Sequence, residues 1–220
     1  MKSTTLCLLV LFQIIASAYG QTGDGLKTAA APKEFAVELN AIQTSLVSHK
    51  AGGINFNFKY FPHKRFATGA YLLFSARQMR DTFTYSIARP IIQFYEGGWT
   101  NQYNFLQTSR VRMDINLVNA FSQARLGDNA IKEKQHKYAP KEVASNYFYI
   151  LEPGTGFSYK FLSGKDNTGL WLHAMVNYRF VFGNCKYATT KDFTGWLFGI
   201  GIAVNGFDVD KLDAKTGAGK

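Results

Sequence analysis

Cysteine and long apolar runs are both scarce in this chain, and each shortage excludes a class of architecture. The sequence contains two cysteines, Cys7 and Cys185. Cys7 falls in an N-terminal run that we interpret as a leader, so the mature chain retains one thiol and no internal disulfide. A membrane-spanning helix needs roughly 20 apolar residues in succession, and no stretch of the mature sequence has them. We therefore expect a fold held by neither disulfides nor helical spans.

The N-terminus has the pattern of a secretory leader. Lys2 precedes an apolar run over residues 6–18, and the small residues Ala18 and Gly20 stand three and one positions before Gln21. A charged start, a short apolar run and a small-residue exit are typical of a cleaved signal peptide. The expected organisation is a signal peptide at 1–20, a flexible segment at 21–34, a barrel at 35–207 and a polar tail at 208–220.

The charge balance is basic, with 25 Lys and Arg against 15 Asp and Glu and a net charge of +10. A basic chain can bind nucleic acid, but here the basic residues are dispersed and the leader indicates export. An excess of positive charge also attracts anionic lipid headgroups. We expect outer-membrane lipid and lipopolysaccharide as partners, and no nucleic acid.

Alternation of apolar and polar residues is the strongest pattern in the mature chain. Residues 54–60 read Ile-Asn-Phe-Asn-Phe-Lys-Tyr, with every second residue large and apolar. Because neighbouring side chains of a strand point to opposite faces, this segment has one apolar and one polar face. Eight such strands are expected, at residues 35–43, 53–61, 65–77, 82–95, 110–121, 146–161, 170–182 and 195–207. Residues 99–107 are left unassigned, and 122–145 are expected to form a long polar loop.

An even number of strands, several of them near the roughly 9–11 residues of a tilted membrane strand, favours an all-β, antiparallel up-and-down transmembrane barrel. The polar faces are rich in Asn, which suits a narrow interior where each group finds a partner. The apolar faces carry more aromatic rings than a small ligand cavity holds. A secreted, lipocalin-like barrel that binds an apolar ligand stays open as an alternative, as does a small passive pore.

Five segments resemble the small bacterial outer-membrane β-barrel domain family. They are residues 53–61 with 66–69, residues 151–154, and the closing pair 171–179 and 196–207. The resemblance implies an eight-stranded barrel placed in the outer membrane by the barrel-insertion machinery, with no shared activity. Such barrels usually end on an aromatic residue that this machinery reads, whereas Phe207 is followed by 13 residues here.

Charged residues on the faces expected to point inward form the main candidate site. Two readings apply: an ion path lined by charge, and a salt-bridged plug. An eight-stranded barrel is barely wide enough for its own side chains, which favours the plug. The expected charge network is Lys59, Arg112, Asp114, Glu152 and Arg179. The expected polar lining is Asn55, Asn57, Asn116, His173 and Asn177.

No arrangement of residues points to catalysis. His173 has no nucleophile beside it, and Ser48 and His49 are adjacent, so on a strand their side chains would point to opposite faces. Cys185 lacks the ligand spacing of a metal site. We expect a non-enzymatic protein without a cofactor, in a structural, adhesive or loop-mediated binding role. The oligomeric state stays open.

A basic stretch lies in the expected outer loop. It either contacts phosphates of lipopolysaccharide or is simply solvated. Its lysines are Lys132, Lys134, Lys137 and Lys141.

Overall fold

A computed structural model describes residues 34–63, 65–80, 83, 85–132, 140–164 and 168–208. The expected leader, most of the N-terminal segment and nearly all of the polar tail lie outside these ranges. Over the described ranges, no helix is long and apolar enough to cross a membrane.

Eight antiparallel strands close into a barrel, in which each strand pairs with its neighbours in sequence and the last pairs with the first. The strands are β1 (Glu34–Leu46), β2 (His49–His63), β3 (Phe66–Gln78), β4 (Pro90–Gln107), β5 (Val111–Lys132), β6 (Pro140–Ser163), β7 (Gly169–Gly183) and β8 (Gly195–Asp208). The all-β, eight-stranded up-and-down fold expected from the alternation is confirmed.

The connections differ in length at the two ends of the barrel. At the end where β1 starts and β8 finishes, here named the terminal end, β2–β3, β4–β5 and β6–β7 are joined through residues 64–65, 108–110 and 164–168. At the opposite end, named the loop end, residues 79–89, 133–139 and 184–194 make three longer connections. The exception is the turn at Val47 and Ser48, whose positive φ angles of 49° and 62° fit a two-residue hairpin turn.

The expected fourth strand, at residues 82–95, is wrong. Strand β4 begins at Pro90 and runs through the unassigned stretch to Gln107. Proline has no N–H for a ladder, so it suits the first position of a strand, and the Pro90 carbonyl accepts a hydrogen bond from Met79 N at 2.8 Å. Gly97 and Gly98 lie within β4 and pair with Phe121 and Ala120 of β5. A Cβ on the inward-facing Gly98 would collide with the Asn119 carbonyl oxygen, so the close approach of β5 favours glycine there.

The expected polar loop at residues 122–145 is also wrong, because β5 and β6 extend through most of it. The two faces exchange polarity near the loop end of β5. Gln123 and Arg125 point outward there, whereas Ala124 and Leu126 are fully buried inside. Where a strand of a membrane barrel extends beyond the lipid, its outward face meets water and carries polar residues. In this part of the strand, apolar residues therefore no longer mark the outward face.

The barrel has an apolar exterior and a polar interior over its middle part. Strand β8 shows this directly, since Trp196, Phe198, Ile200 and Ile202 are each about half exposed. The interior holds buried Asn, Glu, Lys, His and Arg side chains. A soluble ligand-binding barrel needs the opposite arrangement, whereas a membrane barrel needs this one.

Aromatic residues mark two levels on the exterior. Tyr60, Tyr103 and Tyr159 lie within four residues of the terminal ends of their strands, and Tyr95, Tyr149 and Trp196 lie nearer the loop end. Tyr149 and Tyr159 are ten residues apart on β6. At roughly 3.3 Å per residue and a tilt of about 40°, this separation corresponds to about 25 Å along the barrel axis. That height matches the apolar band between the aromatic girdles of a membrane barrel.

Candidate functional site in the barrel interior

The interior is filled by three layers of side chains. A polar network occupies the part nearer the terminal end, a cluster of charged groups lies above it, and apolar side chains close the loop end. Each layer is built from inward-facing positions on several strands, because every second residue of each strand enters the interior.

The charge cluster is centred on Arg179 of β7. Its Nε lies 2.6 Å from Oε1 of Glu152 on β6 and 2.7 Å from Oε1 of Glu96 on β4. Arg179 Nη1 donates to Thr44 Oγ1 at 3.2 Å, and the Tyr71 hydroxyl donates to Glu152 Oε2 at 2.9 Å. None of the three charged side chains is exposed. One guanidinium thus serves two buried carboxylates, and its loss would leave both without a cation.

A second ion pair lies in the polar network. Lys59 Nζ on β2 lies 2.7 Å from Glu38 Oε1 on β1 and donates to Gln102 Oε1 of β4 at 2.6 Å. Glu38 also accepts a hydrogen bond from Asn57 Nδ2 at 3.0 Å. Lys59 and Glu38 are both almost fully buried. The lysine therefore joins three strands through charge-assisted hydrogen bonds.

Amide groups continue this network across the barrel. Asn57 and Asn40 both donate to Asn55 Oδ1 at 3.0 Å. His173 Nδ1 lies 3.1 Å from Asn40 Oδ1 and 4.0 Å from Glu38 Oε2. His173 is 3% exposed and sits among amides and a carboxylate. His173 therefore lies within the polar network of the interior.

Two inward glycines on β6 make room for polar side chains of the neighbouring strands. A Cβ on Gly156 would come 2.5 Å from Asp114 Oδ2, and one on Gly154 would collide with Asn177 Oδ1. Asn116 Nδ2 lies 3.5 Å from Asp114 Oδ1. Asp114 and Asn177 are both buried. These side chains fill the space that the glycines leave, which keeps the interior closed at this level.

Arg112 lies apart from the other expected network members, near the terminal end. Its guanidinium carbon is 4.2 Å from the centroid of the Trp171 ring and 5.7 Å from that of Phe61. Its Nη2 lies 3.9 Å from Glu34 Oε2. Lys160 Nζ approaches the same tryptophan at 5.4 Å. Cations stacked on aromatic rings thus cover the terminal mouth.

Apolar side chains cover the loop end. The Phe193 ring, which belongs to the 184–194 connection, is stacked at 5.5 Å from Phe94 and tilted at 5.4 Å from Phe148. Tyr187 of the same connection packs against Phe193, and burial raises the pKa of its phenol above the usual range. Residues of the connection therefore close the barrel where it would otherwise open.

Sequence reasoning missed two carboxylates that complete the ion pairs, Glu38 and Glu96. Glu38 stands between Val37 and Leu39, so the alternation of β1 was a sufficient signal for its inward position. Glu96 lies between the expected strand at 82–95 and the unassigned residues 99–107, and only the observed β4, Pro90–Gln107, places it within a strand. Both acids matter because each lies within 2.7 Å of a buried cation.

The remaining candidates lie near the loop end. Ser48 lies in the β1–β2 turn and His49 is the first residue of β2, with Ser48 Oγ 3.3 Å from Asp192 Oδ1 and His49 Nδ1 2.7 Å from the Val47 carbonyl. Of the basic stretch, Lys132 ends β5, Lys141 is exposed on β6, and Lys134 and Lys137 lie outside the described residues.

Neither the thiol nor any acidic group of the described ranges builds a metal site. Asn146 Nδ2 donates to Cys185 Sγ at 3.4 Å. Within the residues that the structure describes, no group of three or more His, Cys, Asp or Glu side chains is placed to hold a metal ion.

Comparison with known proteins finds similarity in structure only. No family model and no curated protein matches the sequence. Neisserial surface protein A has a similar structure, with a TM-score of 0.50 and 14% identity over 81% of this chain and 98% of that one. Ail, the attachment invasion locus protein of Yersinia pestis, gives a TM-score of 0.46 alone and 0.47 in complex with the heparin analogue sucrose octasulfate. Both Ail comparisons have 10% identity over 80% of this chain and 99% of Ail. The likeness to the neisserial protein shows that this chain has the same eight-stranded barrel fold.

Proposed function

We propose that this protein is a non-enzymatic barrel of a bacterial outer membrane that binds external partners at its loop end. The apolar exterior between two aromatic levels supports the membrane placement. The leader pattern at residues 1–20 supports export, and the barrel-insertion machinery and outer-membrane lipid are partners in this proposal. Outer-membrane barrels have short periplasmic turns and longer outer loops. In this proposal the terminal end, with its short connections, therefore faces the periplasm and the loop end faces outward.

The observation that carries the binding role is the projection of the β5–β6 hairpin beyond its neighbours. Strands β5 and β6 have 22 and 24 residues, against 15 in β7. Pairing of β6 with β7 reaches no further than Phe148 and Gly183, so residues 140–147 of β6 project past the end of β7. Among the described residues, no strand pairs with this segment on the β7 side, and the 184–194 connection contacts it at Asn146 through Cys185 Sγ and Lys186 N. A free strand edge can accept an extended segment of another protein through backbone hydrogen bonds.

Positive charge at the loop end extends the binding surface. Its exposed cations are Lys50, Arg77, Arg80, Arg89, Lys141, Lys186 and Lys191. Asp128, an acid near these cations, accepts hydrogen bonds from the backbone amides of Ala88, Arg89 and Ala130. Positive potential favours anionic partners, and lipopolysaccharide phosphates or sulfated polysaccharide have that chemistry.

Two measurements test the membrane placement and the binding role separately. The folded protein should sediment with outer membranes and migrate differently from the boiled protein on a detergent gel. Recovery as a soluble protein without detergent would contradict the placement. For binding, cells bearing the variant Lys141→Glu/Lys186→Glu/Lys191→Glu should lose most of their adhesion to a heparin-coated surface.

The matched control for adhesion reverses charge at the opposite end, with Arg65→Glu/Arg110→Glu. Both of these arginines are exposed near the terminal end, so this variant should adhere like the parent. Equal adhesion of the two variants and the parent would contradict a charged loop-end surface. Raising the salt concentration should weaken adhesion of the parent, because exposed charge interactions are screened.

A passive pore is the second candidate, and the filled interior argues against it. From the terminal end to the loop end, the interior is occupied by the Arg112 stack, the polar network of Lys59 and Glu38, the Arg179 cluster and the apolar side chains around Phe193. We expect planar bilayers containing the protein to show no steady conductance, and a stable single-channel current would favour the pore.

Unchanged lipid A mass spectra after expression would support the non-enzymatic role.

A further inference from the structure

Three nitrogen donors at the terminal mouth have no hydrogen-bond acceptor among the described residues. They are Nε1 of Trp171, Nε of Arg112 and Nζ of Lys160. Trp171 is only 2% exposed, so its indole N–H has lost its contact with water. A buried donor without a partner is costly, because the hydrogen bond that it made to water is not replaced. The terminal mouth is therefore a candidate site for a bound acceptor.

Two of these donors converge beside Gly169, the first residue of β7. A Cβ added to this glycine would lie 2.9 Å from Trp171 Nε1 and 3.1 Å from Lys160 Nζ, which are both hydrogen-bonding distances. It would also collide with Lys160 Cε, so the end of the lysine fills the space that the glycine leaves. Lys160 is half-buried and its side chain is flexible. A small movement of this lysine makes room for one oxygen atom that accepts from both donors.

Arg112 brings a second positive charge to the same mouth. Its guanidinium carbon lies 4.2 Å from the centroid of the Trp171 ring. The Asn205 amide, oriented by its hydrogen bonds, accepts from Arg112 Nη1 at 2.5 Å, and Glu34 Oε2 lies 3.9 Å from Nη2. The Nε donor is left without an acceptor. The guanidinium therefore has an N–H to offer beside the indole and the lysine.

The charges that the structure describes at this mouth are unequal. Arg112 and Lys160 are the cations, and Glu34 is the acid beside them. Glu38, the next acid inward, already lies 2.7 Å from a lysine of the polar network. Asp114 lies two residues further inward than Arg112 on β5, roughly 6–7 Å along the strand. A group with a single negative charge balances this excess, and a carboxylate is such a group.

We propose that the terminal mouth binds one carboxylate group through Trp171, Lys160 and Arg112. One oxygen accepts from the indole and the lysine, and the other faces the guanidinium, whose planar fork matches a carboxylate. The polar network of Lys59 and Glu38 fills the barrel directly inward, so the rest of the bound molecule extends out of the mouth. That the molecule comes from the periplasm rests on the orientation proposed above, whereas the site rests on these three side chains.

Nuclear magnetic resonance of the full-length protein in micelles tests the site through its three indole N–H signals. Replacing each tryptophan by phenylalanine in turn assigns the signals. N-acetyl-alanyl-alanine, a peptide with a free carboxylate, should at millimolar concentration move the Trp171 signal downfield and saturably, because this N–H gains an acceptor. The signals of Trp99 and Trp196, on the exterior, should stay in place. The C-terminal amide of the same peptide should move none of the three.

Two variants at the site and one matched control identify the residues that bind. Lys160→Gln should weaken binding roughly tenfold, because it removes a charged donor. Gly169→Ala should abolish the shift, because the added Cβ takes the place of the oxygen. The control is Arg65→Gln, which removes a positive charge from an exposed position at the same end and should bind like the parent. A heat-shift gel verifies that each variant is folded.

Peptide termini and free fatty acids both supply carboxylates, and octanoate in a separate sample distinguishes them. Tighter binding of the peptide would assign the site to peptide termini, and tighter binding of octanoate to fatty acids. Inorganic phosphate should bind more weakly than the tighter of the two, and the reverse order would contradict a site for a single negative charge.

Three outcomes would overturn the proposal. The Trp171 signal would stay in place with both carboxylates, or it would respond equally to the peptide acid and its amide, or Lys160→Gln would bind like the parent. Recovery of the parent without detergent is a separate result, because it would contradict the membrane placement and leave the carboxylate site intact.

Discussion

The Arg179 guanidinium and the Glu152 carboxylate meet inside the barrel, with Nε 2.6 Å from Oε1 and neither side chain exposed. Glu96 approaches the same nitrogen at 2.7 Å. Removing a charge from water is costly unless a partner and hydrogen bonds compensate for it. Three charges from three strands therefore depend on one another, and the arginine is the member whose loss affects the other two.

Replacement of Arg179 tests this dependence. Arg179→Met should lower the free energy of unfolding by about 3–5 kcal/mol, since it leaves buried carboxylates without their cation. Urea unfolding of the refolded barrel in micelles, followed by tryptophan fluorescence, measures the change. The control is Arg125→Met, which removes the partly exposed pair with Glu142 and should cost no more than about 1 kcal/mol. Equal losses in the two variants would contradict the central role of the buried cluster.

The pair of Lys59 and Glu38 should show strong energetic coupling. Lys59→Met leaves Glu38 with its hydrogen bond from Asn57, and Glu38→Gln leaves Lys59 with Gln102. Because the two groups are in contact, the double variant should lose about 1–3 kcal/mol less than the sum of the single losses. A double-mutant cycle by urea unfolding gives this value directly. Simple additivity would indicate that the two groups do not stabilise each other.

A close approach between strands makes Gly201 of β8 sensitive to any side chain. A Cβ at this position would collide with the carbonyl oxygen of Leu39 and would come 2.6 Å from Asn40 Oδ1. Gly201→Ala should therefore lower the free energy of unfolding by about 1–3 kcal/mol, the usual range for overpacking. Gly52→Ala is the comparison, since open space surrounds that Cβ, and it should unfold like the parent. Equal stability of the two variants would contradict the strand spacing.

The three tryptophans report which face meets lipid. Trp99 and Trp196 are 52% and 56% exposed on the exterior, whereas Trp171 is 2% exposed inside. In vesicles containing brominated lipid, variants that retain only Trp99 or only Trp196 should be strongly quenched. A variant that retains only Trp171 should keep most of its fluorescence. Strong quenching of Trp171 together with weak quenching of the other two would reverse the assignment of the faces.

Much of the barrel could be predicted from residue order because the alternation is local. Asn55 and Asn57 are buried, and Phe56 and Phe58 are exposed, as the period of two requires. The predicted strand bounds were wrong where the same local pattern of residues has a different structural cause. Pro90 begins a strand rather than interrupting one, and residues beyond Phe121 on β5 pass from lipid to water, where a polar outward face no longer indicates a loop.

The partners of the interior charges could not be predicted in the same way. Glu96, Glu152 and Arg179 lie on β4, β6 and β7, and only the registers of the four strands β4 to β7 in the closed barrel bring them together. The donors at the terminal mouth have the same origin, since Arg112, Lys160 and Trp171 lie on β5, β6 and β7.

The sequence by itself determined a two-faced, eight-stranded architecture, because the direction of each side chain depends only on its position along its own strand. The tertiary structure alone decided which charges pair, how the interior is closed and which donors meet at the terminal mouth. Those properties depend on distances between strands far apart in sequence, and barrel closure and register set these distances.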